Sequence, residues 1–354
     1  MTRVLIVKTS SMGDIIHTLP ALTDAQQHCP DIRFDWVVEQ SFAEVPGWHS
    51  AVDQIIPVKL RQWRKQPLRM WFNPEFRQFR RQLLSRHYDY IIDAQALCQS
   101  ALVARLARGL RCGYDRQSVR EFPATWFYQR TVHVAKQQHA VTRMRQLFAQ
   151  ILQYPVPQTL PDYGVRAYFS ALQQPLYLPV SLPLQPYLVF LHATTWDTKL
   201  WPESYWVALG QRANQAGFSV VFTSGNTTEK ARADRLAAQL DVAQALPRLS
   251  IVQVGQLLSR AHGSVAVDTG FGHLCAALSL PCVSLYGATS PTLTSAYGQN
   301  QTHLQADLDC APCLKRSCQR TDRDHYAVQP PCFEGVTSER VWQELTALCE
   351  RAAI

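Results

Sequence analysis

The stretch Ser264-Val-Ala-Val-Asp268-Thr269-Gly270-Phe-Gly272-His273-Leu-Cys-Ala-Ala-Leu-Ser-Leu-Pro281-Cys-Val-Ser-Leu-Tyr286-Gly287 decides how the chain is read. A short apolar run ending at Val267 reads as a buried strand, Gly270 to Gly272 as a tight turn, Leu274 to Leu280 as a helix, and Cys282 to Tyr286 as the next strand. This is a βαβ unit. Its polar residues Asp268, Thr269, Gly270, Gly272 and His273 fall at the carboxyl end of the first strand, where open α/β sheets bind ligands. Glycines admit backbone N–H groups to an anion and a helix N-terminus adds partial positive charge, so a phosphorylated ligand is favoured there. An acid beside that anion would take ribose or sugar hydroxyls. The same residues also fit an ordinary strand-to-helix turn with Asp268 as the N-cap.

The rest of the second half alternates in the same way. Tyr187 to Leu191 reads as a strand, and its tip carries His192-Ala-Thr194-Thr195-Trp196-Asp197-Thr198-Lys199. Two threonines followed by a lysine supply hydroxyl donors and one cation for a diphosphate. Ser219 to Thr223 is the next strand, and Glu229 opens the helix beyond it, either as a ribose ligand or as a first-turn acid.

The first half begins with a buried strand that ends at Lys8, then a small polar loop, Thr9-Ser10-Ser11-Met12-Gly13-Asp14, feeding a helix. Ser10, Ser11 and Gly13 suit close backbone approach to a ligand. Asp14 is either a helix cap or a catalytic carboxylate, and Lys8 either binds phosphate or merely ends a strand. The Gly-Lys-Ser/Thr ending of a Walker loop is missing. Strands follow at Phe34 to Val38 and Ile55 to Val58. The bases from Lys59 to Lys65 and beyond are then interleaved with Trp63, Trp71 and Phe72, and this stretch reads as either a surface for anionic head groups or a solvated basic loop. Helices are expected over Pro74 to His87, Leu97 to Leu110 and Gln137 to Tyr154, with a strand ending at Asp93.

A Pro-rich stretch over 156–186 separates two α/β halves, predicting a domain over 1–155, a second over 187–337, and a final helix over 338–354 that packs back on the first. The 354 residues are 47% apolar, enough for two cores. The net charge of +8 is concentrated in the first half, which points to an acidic partner: nucleic acid, an anionic membrane surface or a phosphorylated substrate. No recognisable nucleic-acid reader module is present. No apolar run is long enough to span a bilayer and no signal peptide is visible, so a cytoplasmic chain with reduced thiols is expected. Cys310, Cys313, Cys318 and Cys332 leave zinc, redox chemistry or inert thiols open.

Several of these segments together carry a resemblance. Val4 through Leu22 with Asp24-Ala-Gln-Gln, Phe34 to Glu39, Ile92-Asp-Ala-Gln95, Ala135 to Ala140 and His192-Ala-Thr-Thr resemble the signatures of the type I lipopolysaccharide heptosyltransferases. Asp268 to Leu274 and Tyr286-Gly-Ala-Thr-Ser-Pro291 resemble the donor motif of the wider glycosyltransferase family 9. The cysteine cluster is closer to the Cys-x-Pro-Cys pattern of other members, including type II enzymes.

The resemblance implies a GT-B enzyme, α/β, with two Rossmann-like domains and a cleft between them. It implies inverting, metal-independent transfer of heptose from ADP-heptose to Kdo₂-lipid A at the cytoplasmic face of the inner membrane, with no cofactor. Asp14 then becomes the general base. Thr194, Thr195, Lys199, Glu229, Asp268, Thr269, Gly270, Gly272 and His273 would hold the donor. Lys8, Ser10, Ser11, Gly13, His17, Arg61, Arg64, Lys65, Gln95 and Arg120 would hold the acceptor. Alternatives are another family 9 transferase, such as one adding the second heptose, and a non-catalytic nucleotide-sugar or glycolipid binder.

Overall fold

The computed structural model describes residues 1–65, 72–172, 182–183 and 186–352. The chain divides into two compact units, Met1–Tyr168 and Phe169–Ile354. Among the described residues each unit is built on one six-stranded sheet, and the paired strands run parallel.

In the first unit the strands are β1 (Arg3–Val7), β2 (Arg33–Glu39), β3 (Val52–Val58), β4 (His87–Asp93), β5 (Arg108–Tyr114) and β6 (Arg130–Val132), in the order β3-β2-β1-β4-β5-β6. In the second they are β7 (Tyr187–Leu191), β8 (Ser219–Phe222), β9 (Ala243–Ala245), β10 (Gly263–Val267), β11 (Cys282–Tyr286) and β12 (Gln301–Gln305), in the order β12-β11-β10-β7-β8-β9. Both follow the doubly wound strand order of dinucleotide-binding sheets, with the order reversing at β1/β4 and at β7/β10. Val4 to Val7 and Tyr187 to Leu191 are buried along their length, as central parallel strands covered on both faces must be. Register then sets the tips: Val7 lies opposite Asp93, and Ala266 opposite Leu191. The residues just beyond, Lys8 with Ala94 and His192 with Val267 and then Asp268, are therefore brought to the two switch points.

Several sequence expectations need correction. The stretch read as helical to Leu110 is a helix only over Cys98–Leu106, and β5 begins at Arg108. Gly109 marks the change: its φ is +154° and a Cβ there would stand 2.2 Å from the carbonyl oxygen of Tyr88, where the β4–β5 register shifts. The expected turn at Gly270 to Gly272 is already helix, Gly270–Ala277, with Thr269 rather than Asp268 as N-cap. Trp63 is no interfacial aromatic: it is buried edge-on to Phe76, 5.2 Å between ring centroids, in the core beneath β1 to β4. Phe72 is 81% exposed, and Trp71 lies outside the described residues.

The Pro-rich stretch contains a helix, Arg166–Ala171, whose Phe169 packs against Gly255. The final helix, Ser338–Ala352, was expected to return to the first domain. Its apolar face, Val341, Leu345 and Leu348, is instead spent in the core of the second unit with Trp206, Val265 and Leu285. Among the described residues no helix is long and apolar enough to cross a membrane.

Candidate active site

At the β1/β4 tip, Lys8 is buried, and its Nζ donates to the Ala94 carbonyl at 3.0 Å. Its Nζ stands 3.9 Å from Asp14 Oδ1. Burial lowers the Lys8 pKa; the charges of Asp14 and Asp93 oppose that shift, while those of Arg120 and Arg143 reinforce it. Asp14 is the third residue of the short helix Met12–Ile16 and reaches back to the N-cap. The Ser11 N–H and hydroxyl donate to its Oδ2 at 2.9 and 3.0 Å. The capping geometry and an available carboxylate coexist, because the Asp14 side chain is still 38% exposed.

Gln95 does not present its amide oxygen outward. It is buried and accepts from the N–H groups of Thr9 and Ser10 at 3.0 and 3.3 Å, fixing the loop before Asp14. Asp93 in turn anchors that strand tip. It accepts from the N–H groups of Gln95 and Ala96, the hydroxyl of Ser100 at 2.8 Å and that of Tyr128 at 2.7 Å. Burial raises its pKa against those bonds. His17 is buried with its ring 5.4 Å from that of His139, which caps the helix Ala140–Leu152. Ser11 is exposed and Gly13 buried. Arg61, Arg64, Lys65 and Arg120 are all exposed, and Arg120 is the one whose charge is felt at Lys8.

At the β7/β10 tip the arrangement is tighter. Lys199 Nζ meets Asp268 Oδ2 at 2.7 Å, and the Thr289 hydroxyl donates to the same oxygen at 2.7 Å. The Thr194 hydroxyl donates to the Asp268 carbonyl at 3.2 Å, whereas Thr195 is exposed. Lys199 also lies over the Trp196 ring, 4.6 Å from its centroid. Thr269 opens the helix Gly270–Ala277 without a side-chain cap, so that N-terminus keeps its positive field for another acceptor. A Cβ on Gly272 would meet only ordinary contacts, 3.5 Å from Ala266 Cβ, so packing within this unit does not itself demand glycine there. His273 is buried on the same helix turn.

A cavity of about 830 Å³ lies beside this tip, lined by Thr194, Asn226, Glu229, Arg232 and, from the far loop, Ser317 and Arg323. Glu229 acts as a first-turn acid: its carboxylate accepts from Gly225 N–H at 2.7 Å and from Asn226 Nδ2 at 2.8 Å, while also facing the cavity. Arg232 braces the wall, donating to the carbonyls of His192 and Trp201 at 2.8 and 2.6 Å.

Sequence reasoning missed Thr289 and Trp196 as site residues. Each follows a strand within the motifs quoted, and that position was the available signal. The cysteines 310, 313, 318 and 332 are free thiols. Burial, with the other three thiols adding, pushes Cys332 up to about 12, and among the described residues no three His, Cys, Asp or Glu side chains are arranged to hold one metal ion.

Residues 76–322 match the family model of glycosyltransferase family 9 (heptosyltransferase). The chain is 49% identical over 354 residues to lipopolysaccharide heptosyltransferase 1 of Pseudomonas aeruginosa, covering 98% of each. The structure of E. coli heptosyltransferase WaaC with ADP superposes with a TM-score of 0.84 at 43% identity, covering 98% of this chain and all of that one. The same enzyme with ADP-2-deoxy-2-fluoro heptose gives 0.78 at 46% identity, covering 86% and 94%.

Proposed function

The chain belongs to glycosyltransferase family 9, the heptosyltransferases, and from that premise we propose that it transfers heptose from ADP-heptose to Kdo₂-lipid A, inverting the anomeric centre, with Asp14 as general base. The observation that carries the reading is the half-exposed carboxylate of Asp14, oriented by Ser11 and only loosely approached by Lys8 at 3.9 Å. A carboxylate so held takes the proton of the acceptor hydroxyl as that oxygen attacks the anomeric carbon. One C–O bond forms, the bond to the diphosphate breaks, and ADP leaves carrying the electron pair.

The departing diphosphate is stabilised by Lys199 and by the N–H groups at the start of Gly270–Ala277. Thr194, Thr195, Thr269, Gly272 and His273 complete the donor contacts, and Asp268 orients the sugar. The ribose takes the free lone pairs of Glu229 at the cavity wall, whose volume of about 830 Å³ suits a nucleoside. The acceptor is acidic and phosphorylated, matching the exposed Arg61, Arg64, Lys65 and Arg120. Exposed aromatics of the same unit, Phe72 at 81% and Trp126 at 72%, support attachment to the anionic cytoplasmic face of the inner membrane. Transfer uses no metal or cofactor in this reading.

The test is to incubate purified protein with ADP-heptose and either Kdo₂-lipid A or its monoheptosylated product, following ADP release and product mass. Turnover on the first acceptor is expected. Turnover only on the second would make this the second-heptose enzyme, and ADP binding without turnover on either would make it a binding protein.

A further inference from the structure

The donor site just described has a charge problem. Lys199 is in direct contact with Asp268, so the pair is formally neutral, while a nucleotide-sugar diphosphate is multiply negative. The helix terminus alone offers only partial charge. A second full cation is needed beside Trp196, and the loop after Cys313 supplies one. The Arg316 guanidinium carbon lies 5.7 Å from the centroid of the Trp196 ring that also carries Lys199 at 4.6 Å. The two cations therefore stand no farther apart than those two ring distances combined. Among the described residues Lys199 is paired with Asp268, whereas Arg316 has no acidic partner.

The loop is held in that position from both sides of the strand tips. The hydroxyl of Thr198, a buried residue, donates to the carbonyl oxygens of Lys315 and Arg316 at 2.5 and 3.4 Å. The Leu314 N–H donates to the Ala288 carbonyl at 2.9 Å, one residue before the Thr289 that grips Asp268. Leu314 sits at φ +55° and is 64% exposed, so the turn is kept in a strained region with its side chain outside the core. Gly287 makes the close approach possible: a Cβ there would stand 2.9 Å from the Thr198 carbonyl oxygen and 2.8 Å from Phe333. The next residues of the loop, Ser317 and Cys318, line the cavity assigned above to the nucleoside.

We propose that Arg316 is a donor-binding residue that, with Lys199, clamps the diphosphate of the nucleotide sugar, and that Thr198 is the positioning residue that holds it there. This rests on the reading of the second unit as the nucleotide-sugar site. Arg316 has no part in proton removal; it neutralises the leaving group as the bond to the sugar breaks.

The experiment is calorimetric titration of the full chain with ADP and with AMP, alongside initial rates with ADP-heptose and Kdo₂-lipid A. Arg316→Gln should weaken ADP about tenfold and AMP less than about threefold, and lower kcat/KM for the donor about tenfold with acceptor KM unchanged. Arg316→Lys should recover part of the loss, because charge survives without the planar fork. Thr198→Val should weaken ADP about threefold and leave AMP unchanged, which a general loss of fold would not do. Equal ADP affinity in Arg316→Gln and wild type, with wild type turning over ADP-heptose, overturns the proposal alone. Failure of wild type to bind ADP overturns the donor-site reading and this proposal with it.

Discussion

The two switch points carry the same pair of residue types under opposite conditions. At β1/β4 the lysine is buried and the carboxylate half-exposed, separated by 3.9 Å; at β7/β10 both are largely covered and touch at 2.7 Å. Asp14 is bonded by Ser11 and stands 3.9 Å from a desolvated lysine, with its side chain 38% exposed, which is the basis for proposing it as the proton acceptor. Asp268 has Lys199 and Thr289 on a single oxygen, so it acts as a fixed hinge for the cation rather than as a base. Under the proposed function, one architecture thus serves as a proton-accepting carboxylate in one sheet and an anion clamp in the other, depending on how closely the lysine approaches.

The largest effects are expected from neutralising one member of each lysine–carboxylate pair in turn. Asp14→Asn is expected to lower kcat about 10³-fold while ADP affinity stays at the wild-type value; retained turnover would remove the base from the first unit. Lys199→Gln should do the reverse in kind. It should cost about 10²-fold in kcat/KM for ADP-heptose and weaken ADP itself, measured by titration.

Each unit also buries a histidine, His49 in the first and His192 in the second, and burial pushes both down to about 4. The folded state then binds fewer protons than the unfolded state between about pH 4 and the ordinary histidine value, so stability is lost as pH falls through that window. Thermal or urea unfolding at pH 5 against pH 7 should reveal about 2 kcal/mol per histidine, in both units. A loss confined to one unit would show that the two sheets are not equivalent in this respect. The smallest effect is expected from Thr289→Ala, which leaves Asp268 with Lys199 alone on that oxygen and should reduce donor kcat/KM about tenfold with no change in acceptor KM.

The candidate site was legible in the sequence to the extent that its residues sit at strand tips. Lys8, Asp14, Thr194, Lys199 and Asp268 each follow a buried apolar run, and a doubly wound sheet gathers such positions at one edge. Gln95 entered only through the family resemblance, and its work is internal, holding Thr9 and Ser10. Trp63 misled because a tryptophan among bases has the same pattern whether it faces lipid or a phenylalanine pair. The β5 strand was hidden by Gly109 and by charges at Arg108 and Arg111, which suit a sheet margin as well as a helix end.

What the sequence determined by itself was local: apolar runs of strand length, the helices between them, and the polar residues at their junctions, all set by side-chain periodicity and backbone preference. Only the tertiary structure decided which distant residues meet. It paired Lys199 with Asp268 and Arg145 with Asp24, brought Arg316 to Trp196, and committed the last helix to the second core. Those choices depend on sheet order and on which apolar face is left to cover, and neither is encoded in any single window of the chain.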